Sequence, residues 1–107
     1  MSSAAVVANY ELLGAITGQM IDAARQGDWD MLVAIEKQRS ALVARIKTLD
    51  ATAQLDETAH QRKKSLIQAT LSQDAEIRTL VQVWMSEHEL SMQSNAQELR
   101  LLRKYGA

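Results

Sequence analysis

A chain of 107 residues with 12 basic and 13 acidic side chains is long enough for one domain and too short for two full-sized ones. The absence of cysteine excludes disulfides, thiolate metal sites and cysteine nucleophiles, and a net charge of −1 lacks the basic excess of a nucleic-acid module. Alanine (16), leucine (13) and glutamine (10) supply over a third of the residues while proline and phenylalanine are absent, so the composition points to an all-α protein.

A first helix is predicted over residues 3–26. Val6, Tyr10, Leu13, Thr17, Met20 and Ala24 recur there in steps of four and three, and Leu12, Ile16 and Ile21 widen the stripe. Gly14 and Gly18 share one face, where a neighbouring backbone could come close, and each costs roughly 1 kcal/mol relative to alanine. The run Gln26-Gly27-Asp28-Trp29-Asp30 ends this helix. Gly27 suits the left-handed position beyond a helix end, Asp28 caps the next helix, and Asp30 complements its dipole.

The second helix runs to residue 49, with Leu32, Ile35, Arg39, Leu42, Ile46 and Leu49 as its stripe and Val43 beside it. So short a joint makes the first two helices antiparallel neighbours. Residues 50–56 read as a loop, from which Asp56 caps a third helix over 57–72. Its buried side is Ala59, Leu66, Ile67, Thr70 and Leu71, with Arg62, Lys63 and Lys64 on the opposite face.

Ser72-Gln73-Asp74 offers another capping cluster, and a short break is predicted there; one continuous helix is the competing reading. The fourth helix is then expected over 75–104, with Ile77, Val81, Trp84/Met85, His88, Met92, Ala96, Leu99 and Leu102 as its stripe. That stripe is weak in its middle, at His88, Ser91, Ser94 and Asn95. No repeat or linker divides the chain, so residues 1–107 are expected to form a single helical domain. Its architecture is an antiparallel bundle of four helices with a long, movable C-terminal helix. No window approaches 18 uninterrupted apolar residues, so no membrane insertion is expected. The start of the chain lacks the basic segment of a secretory signal, which makes the cytoplasm the expected compartment.

Site chemistry is sparse. His60 sits beside a basic run, and His88 lies between Glu87 and Glu89, which point away from it on a helix. Neither histidine has metal-ligand spacing with the other, and no phosphate-binding, nucleophile-elbow or dinucleotide motif occurs. No catalytic residue, metal or cofactor is expected. Arg62-Lys63-Lys64 and Arg100-Arg103-Lys104 read first as solvated faces and second as docking points for an acidic protein. Met20 suits a core, whereas Met85 and Met92 lie on the loosely held helix and could line a surface that repacks around partners. Trp29, opening a helix, suits a contact site as well as a core; Trp84 falls on the core side.

The run Gly27-Asp28-Trp29-Asp30-Met31-Leu32, preceded by an amphipathic helix ending in Ala24-Arg25-Gln26, resembles the FliT-type flagellar export chaperones. Glu36 and the Leu42/Ile46 stripe resemble that family's second helix, Thr70-Leu71-Ser72-Gln73-Asp74 its break after helix three, and Tyr105-Gly106 its C-terminal Tyr-Gly. The resemblance spans nearly the whole chain. It implies a cytoplasmic chaperone that binds the C-terminal helix region of the filament-cap protein FliD and prevents its premature assembly. It further implies delivery to the export apparatus, through the export ATPase complex and the export-gate protein. In enteric relatives it adds the flagellar master regulator as a partner.

A helix-in-groove mode fits such a client. The expected groove residues are Leu42, Val43, Ile46, Leu66, Ile67, Leu71 and Ile77, each of which also suits a plain core. The segment from residue 96, carrying Leu99, Leu102 and Tyr105, is expected to act as an autoinhibitory cover that the client displaces. The alternative is a self-associating structural bundle, a homodimer held by its three-four stripes, with no client.

Overall fold

The structure, a computed structural model, describes residues 2–50, 53–88 and 96–105, without the side chains of residues 88, 96–99 and 102. It contains four helices: α1 (Ser3–Arg25), α2 (Trp29–Asp50), α3 (Glu57–His88) and α4 (Ala96–Tyr105). They alternate in direction within a body 49 × 21 × 20 Å. The long dimension follows from α3, whose 32 residues at 1.5 Å rise span roughly 48 Å.

The caps predicted at Asp28 and Asp56 form, and Ser2, for which no cap was predicted, closes the start of α1. The Ser2 hydroxyl accepts from the Ala5 amide at 3.2 Å, and the Asp28 carboxylate accepts from the Met31 amide at 3.1 Å. The Asp56 carboxylate takes the Ala59 amide at 2.7 Å. Gly27, at φ 70°, closes α1: its amide reaches the Ala24 carbonyl at 3.1 Å and that of Asp28 reaches Ala23 at 2.9 Å. This doubled pairing satisfies carbonyls that the helix end would otherwise leave free.

The predicted break at Ser72-Gln73-Asp74 is absent, and helix runs straight through it. Asp74 does not cap; its carboxylate is taken by Arg39 of α2. A side chain held by tertiary pairing has no need of the local backbone alternative that makes aspartate a capping residue. Trp84 accordingly belongs to α3, and the C-terminal helix has 10 residues instead of about thirty. The weak segment at Ser91, Ser94 and Asn95 lies outside the described residues.

Helix α1 is the shared spine. It packs along both α2 and α3, whose backbones do not come together among the described residues, and α4 rests across α2 and α3 at one end. Two apolar clusters result. The upper one joins Met20, Ile21 and Ala24 of α1, Leu32, Val33 and Ile35 of α2, Ile77 and Val81 of α3, and Leu101 and Tyr105 of α4. The lower one joins Val6 and Tyr10 with Leu42 and Ile46, edged by Leu13, Leu66 and Ile67. Because α3 has α1 as its main neighbour, its buried stripe is narrow, and Leu71, expected inside, is 62% exposed.

The lower end is tied by polar contacts from three helices. Asp50 accepts a hydrogen bond from the Tyr10 hydroxyl and one from Lys63 Nζ at 2.8 Å, while Lys63 lies 5.2 Å from the centre of the Tyr10 ring. Lys63 is therefore an internal tether and not part of a solvated face, whereas Arg62 and Lys64 are exposed. At the other end the indoles of Trp29 and Trp84 pack with centroids 4.7 Å apart, tilted by 42°.

Candidate functional site

The divergence of α2 and α3 over α1 leaves a furrow, and α4 fills its upper end. Three features seat α4. Arg100 bonds to Glu36 of α2, its Nε donating to Oε2 at 2.7 Å with a second guanidinium nitrogen on the same oxygen. Ser40 donates to the other oxygen, Oε1, at 2.9 Å, and the Glu36 side chain is only 6% exposed. Leu101 and Tyr105, one helical turn apart, enter the upper cluster at 1% and 2% exposure. Gln82 of α3 donates from Nε2 to the Tyr105 carbonyl at 3.3 Å.

One contact in this seat is poor. The Tyr105 hydroxyl is buried with no hydrogen-bond partner among the described residues. Burial pushes its pKa up to about 12; Arg39 opposes the rise, and the carboxylates of Asp74 and Glu36 add to it. A buried hydroxyl without a partner forfeits about 1–3 kcal/mol of hydration. The apolar gain from inserting the ring is reduced by that amount.

Below α4 the furrow stays open, with a volume of about 380 Å³. Leu13 of α1 forms its floor, Arg39, Val43 and Lys47 of α2 one wall, Thr70 and Asp74 of α3 the other, and Lys104 of α4 its upper limit. A second cleft, about 370 Å³, follows the α2–α4 seam between Glu36, Lys37, Arg100, Arg103 and Lys104. Both openings adjoin α4, so its removal would join them to the seat of Leu101 and Tyr105. The middle of the furrow is polar, where Arg39 pairs with Asp74 and donates to Thr17.

The seven expected groove residues are divided between layers. Val43 lines the furrow. Leu42 and Ile46 are buried beneath it, and Leu66 and Ile67 are half-buried at the edge of the lower cluster. Ile77 is fully buried under the α4 end, and Leu71 is exposed on α3. Of the expected cover residues, Tyr105 is inserted, while the side chains of Leu99 and Leu102 lie outside the described residues. Arg100 is drawn from the C-terminal basic cluster into pairing with Glu36, leaving Arg103 and Lys104 exposed.

Sequence reasoning passed over Glu36, Asp74 and Leu101 as parts of this site. A signal existed for Glu36: it adjoins Ile35 on the stripe Leu32, Ile35, Arg39, and long charged residues beside an apolar stripe commonly pair across helices. Leu101 was hidden by phase. A helix running unbroken from residue 75 fixes which later residues face the core, whereas one that starts afresh at Ala96 sets its own face.

The family model for flagellar protein FliT matches residues 7–107. The chain belongs to the FliT family. No curated protein and no solved structure matches it. A FliT-type chaperone is non-catalytic. Among the described residues no helix is long and apolar enough to cross a membrane, and no three His, Asp or Glu side chains are grouped to hold a metal ion.

Proposed function

We propose that this FliT-family chain shields the C-terminal helix region of the filament-cap protein FliD in the cytoplasm, with α4 as the cover the client displaces. The observation that carries this reading is the seating of α4. A ten-residue helix lies in a furrow between longer helices, with Leu101, Tyr105, one ion pair and the Gln82 hydrogen bond as its described anchors. The orphaned Tyr105 hydroxyl weakens that anchorage. A free-energy gap of a few kcal/mol between seated and displaced α4 is one that a client helix can overcome by binding.

Covering the client's amphipathic helix would keep it from associating prematurely. The complex would then dock on the export ATPase complex and the export-gate protein. The flagellar master regulator is a further proposed partner, carried by the family likeness alone.

The test is calorimetric titration of the chain with the C-terminal segment of FliD from the same organism. One-to-one binding at micromolar affinity or tighter, with a negative heat-capacity change, is expected. Deleting residues 96–107 should tighten it. A folded chain that gives no heat with this segment, and whose mass rises with concentration, would instead be a self-associating bundle.

A further inference from the structure

We infer that the client helix which replaces α4 brings its own cation to Glu36: the seat selects an amphipathic helix with Arg or Lys one residue before a large apolar side chain and five before another. The inference rests on the proposed displacement of α4 and specifies the chemistry of what takes its place.

Glu36 projects from α2 into the seam and is 4% exposed. Both its carboxylate oxygens are occupied, Oε1 by the neutral Ser40 hydroxyl and Oε2 by Arg100. Arg100 is thus the charge that balances it. Lys37, the next residue on α2, lines the same cleft but is exposed and, as an adjacent helix residue, does not face Glu36, and Arg39 is committed to Asp74. Arg103 and Lys104, which line the same cleft, depart with α4.

A client that seals the seat without a cation would bury a carboxylate whose charge nothing offsets, among the most unfavourable arrangements in a protein interior. A client carrying Arg or Lys at the Arg100 position restores the pair. The spacing of the other two positions is that of Arg100, Leu101 and Tyr105 themselves. At the last of them an aliphatic side chain or phenylalanine is favoured over tyrosine, because the hydroxyl finds no partner there.

The experiment compares the full-length chain with its Glu36→Gln and Arg100→Gln variants, titrated with the FliD C-terminal segment after circular dichroism has confirmed their helicity. Arg100→Gln removes the ion pair from the seated state alone, so affinity should rise by about tenfold or more. Glu36→Gln removes the pair from both the seated and the client-bound state, so its affinity should stay within about threefold of the parent. Equal tightening by both variants would show that α4 is displaced but that the client brings no cation, overturning the inference alone. No change in either would overturn the displacement and the inference together.

A scan on the client side gives an independent reading if a variant fails to fold. Changing each client Arg or Lys to Gln in turn should reveal one position that weakens binding to the parent chain by about tenfold and leaves binding to Glu36→Gln unaltered. A scan with no such position overturns the inference.

Discussion

Arg39 of α2 meets Asp74 of α3 through Nη1 and Oδ1 at 2.5 Å, and the same guanidinium nitrogen donates to Thr17 of α1 at 3.3 Å. One arginine thereby joins three helices at the level where the two apolar clusters divide. Its side chain is 8% exposed, against 34% for Asp74. Asp74→Ala should therefore destabilise the fold by about 2–3 kcal/mol, below the full cost of breaking a buried pair because water partly reaches this site. Denaturant titration measures it. An Arg39→Leu/Asp74→Leu double variant should recover most of the loss, since no unpaired charge remains; a double variant as unstable as the single would show that the pair is not the cause.

Tyr105→Phe removes a hydroxyl that has no partner and leaves the ring in place. Stability should rise by about 1 kcal/mol, and client affinity should fall, because the cover is held more firmly. Few substitutions are expected to stabilise a chaperone while weakening its binding, so the two readouts together are diagnostic. The parent chain should also lose stability in alkali. With the folded pKa about 12 against an ordinary 10.0, the neutral phenol stabilises the fold fully below pH 10, and this is lost as pH rises towards 12. Phenolate absorbance followed beside the unfolding curve tests the point, and Tyr105→Phe should remove that part of the alkaline loss.

How far the sequence reveals this fold is clearest at its helix ends. Gly27, Asp28 and Asp56 do in the structure what their chemistry predicts, because capping is decided within a few residues. Ser72-Gln73-Asp74 carries the same local signal and misleads, because Arg39, 35 positions away, takes the Asp74 carboxylate. The site follows the same rule. Val43, beside the stripe of the second helix, and Tyr105, in the apolar C-terminal segment, are picked out by the sequence, whereas the importance of Glu36 depends on where α4 returns to the bundle, and nothing near residue 36 records that.

The lower end should govern acid stability. Burial tends to raise the Asp50 pKa, but the hydrogen bonds from Lys63 and Tyr10 outweigh it and hold the carboxyl below its ordinary value. The resulting contribution is complete above the unfolded pKa, near 4, and is lost as pH falls through the folded value. Asp50→Asn should lower stability at neutral pH and flatten the acid limb, bringing the curves together at a pH below the folded value. Curves that stay parallel down to that pH would assign the acid response to other carboxylates.

Gly14 and Gly18 offer the opposite kind of change. Both face α3, as their shared position on α1 requires, yet neither is needed for a close approach. A Cβ at Gly14 would lie 3.9 Å from Thr70 Oγ1, and one at Gly18 would lie 3.7 Å from Gln73 Nε2; both are ordinary contacts. In a helix interior, alanine is favoured over glycine by about 0.5–1 kcal/mol, because glycine loses more backbone freedom on folding. The Gly14→Ala/Gly18→Ala double variant should therefore gain about 1–2 kcal/mol, a rise of several degrees in melting temperature. Gly27→Ala should move the other way by about 1 kcal/mol, since its φ of +70° strains any side chain despite open space around it. Client affinity should stay unchanged in the double variant, because neither glycine lines the furrow or the seat of α4. A double variant that melts lower than the parent would mean that α1 and α3 pack more tightly here than ordinary contact, as the spacing of the two glycines first suggests.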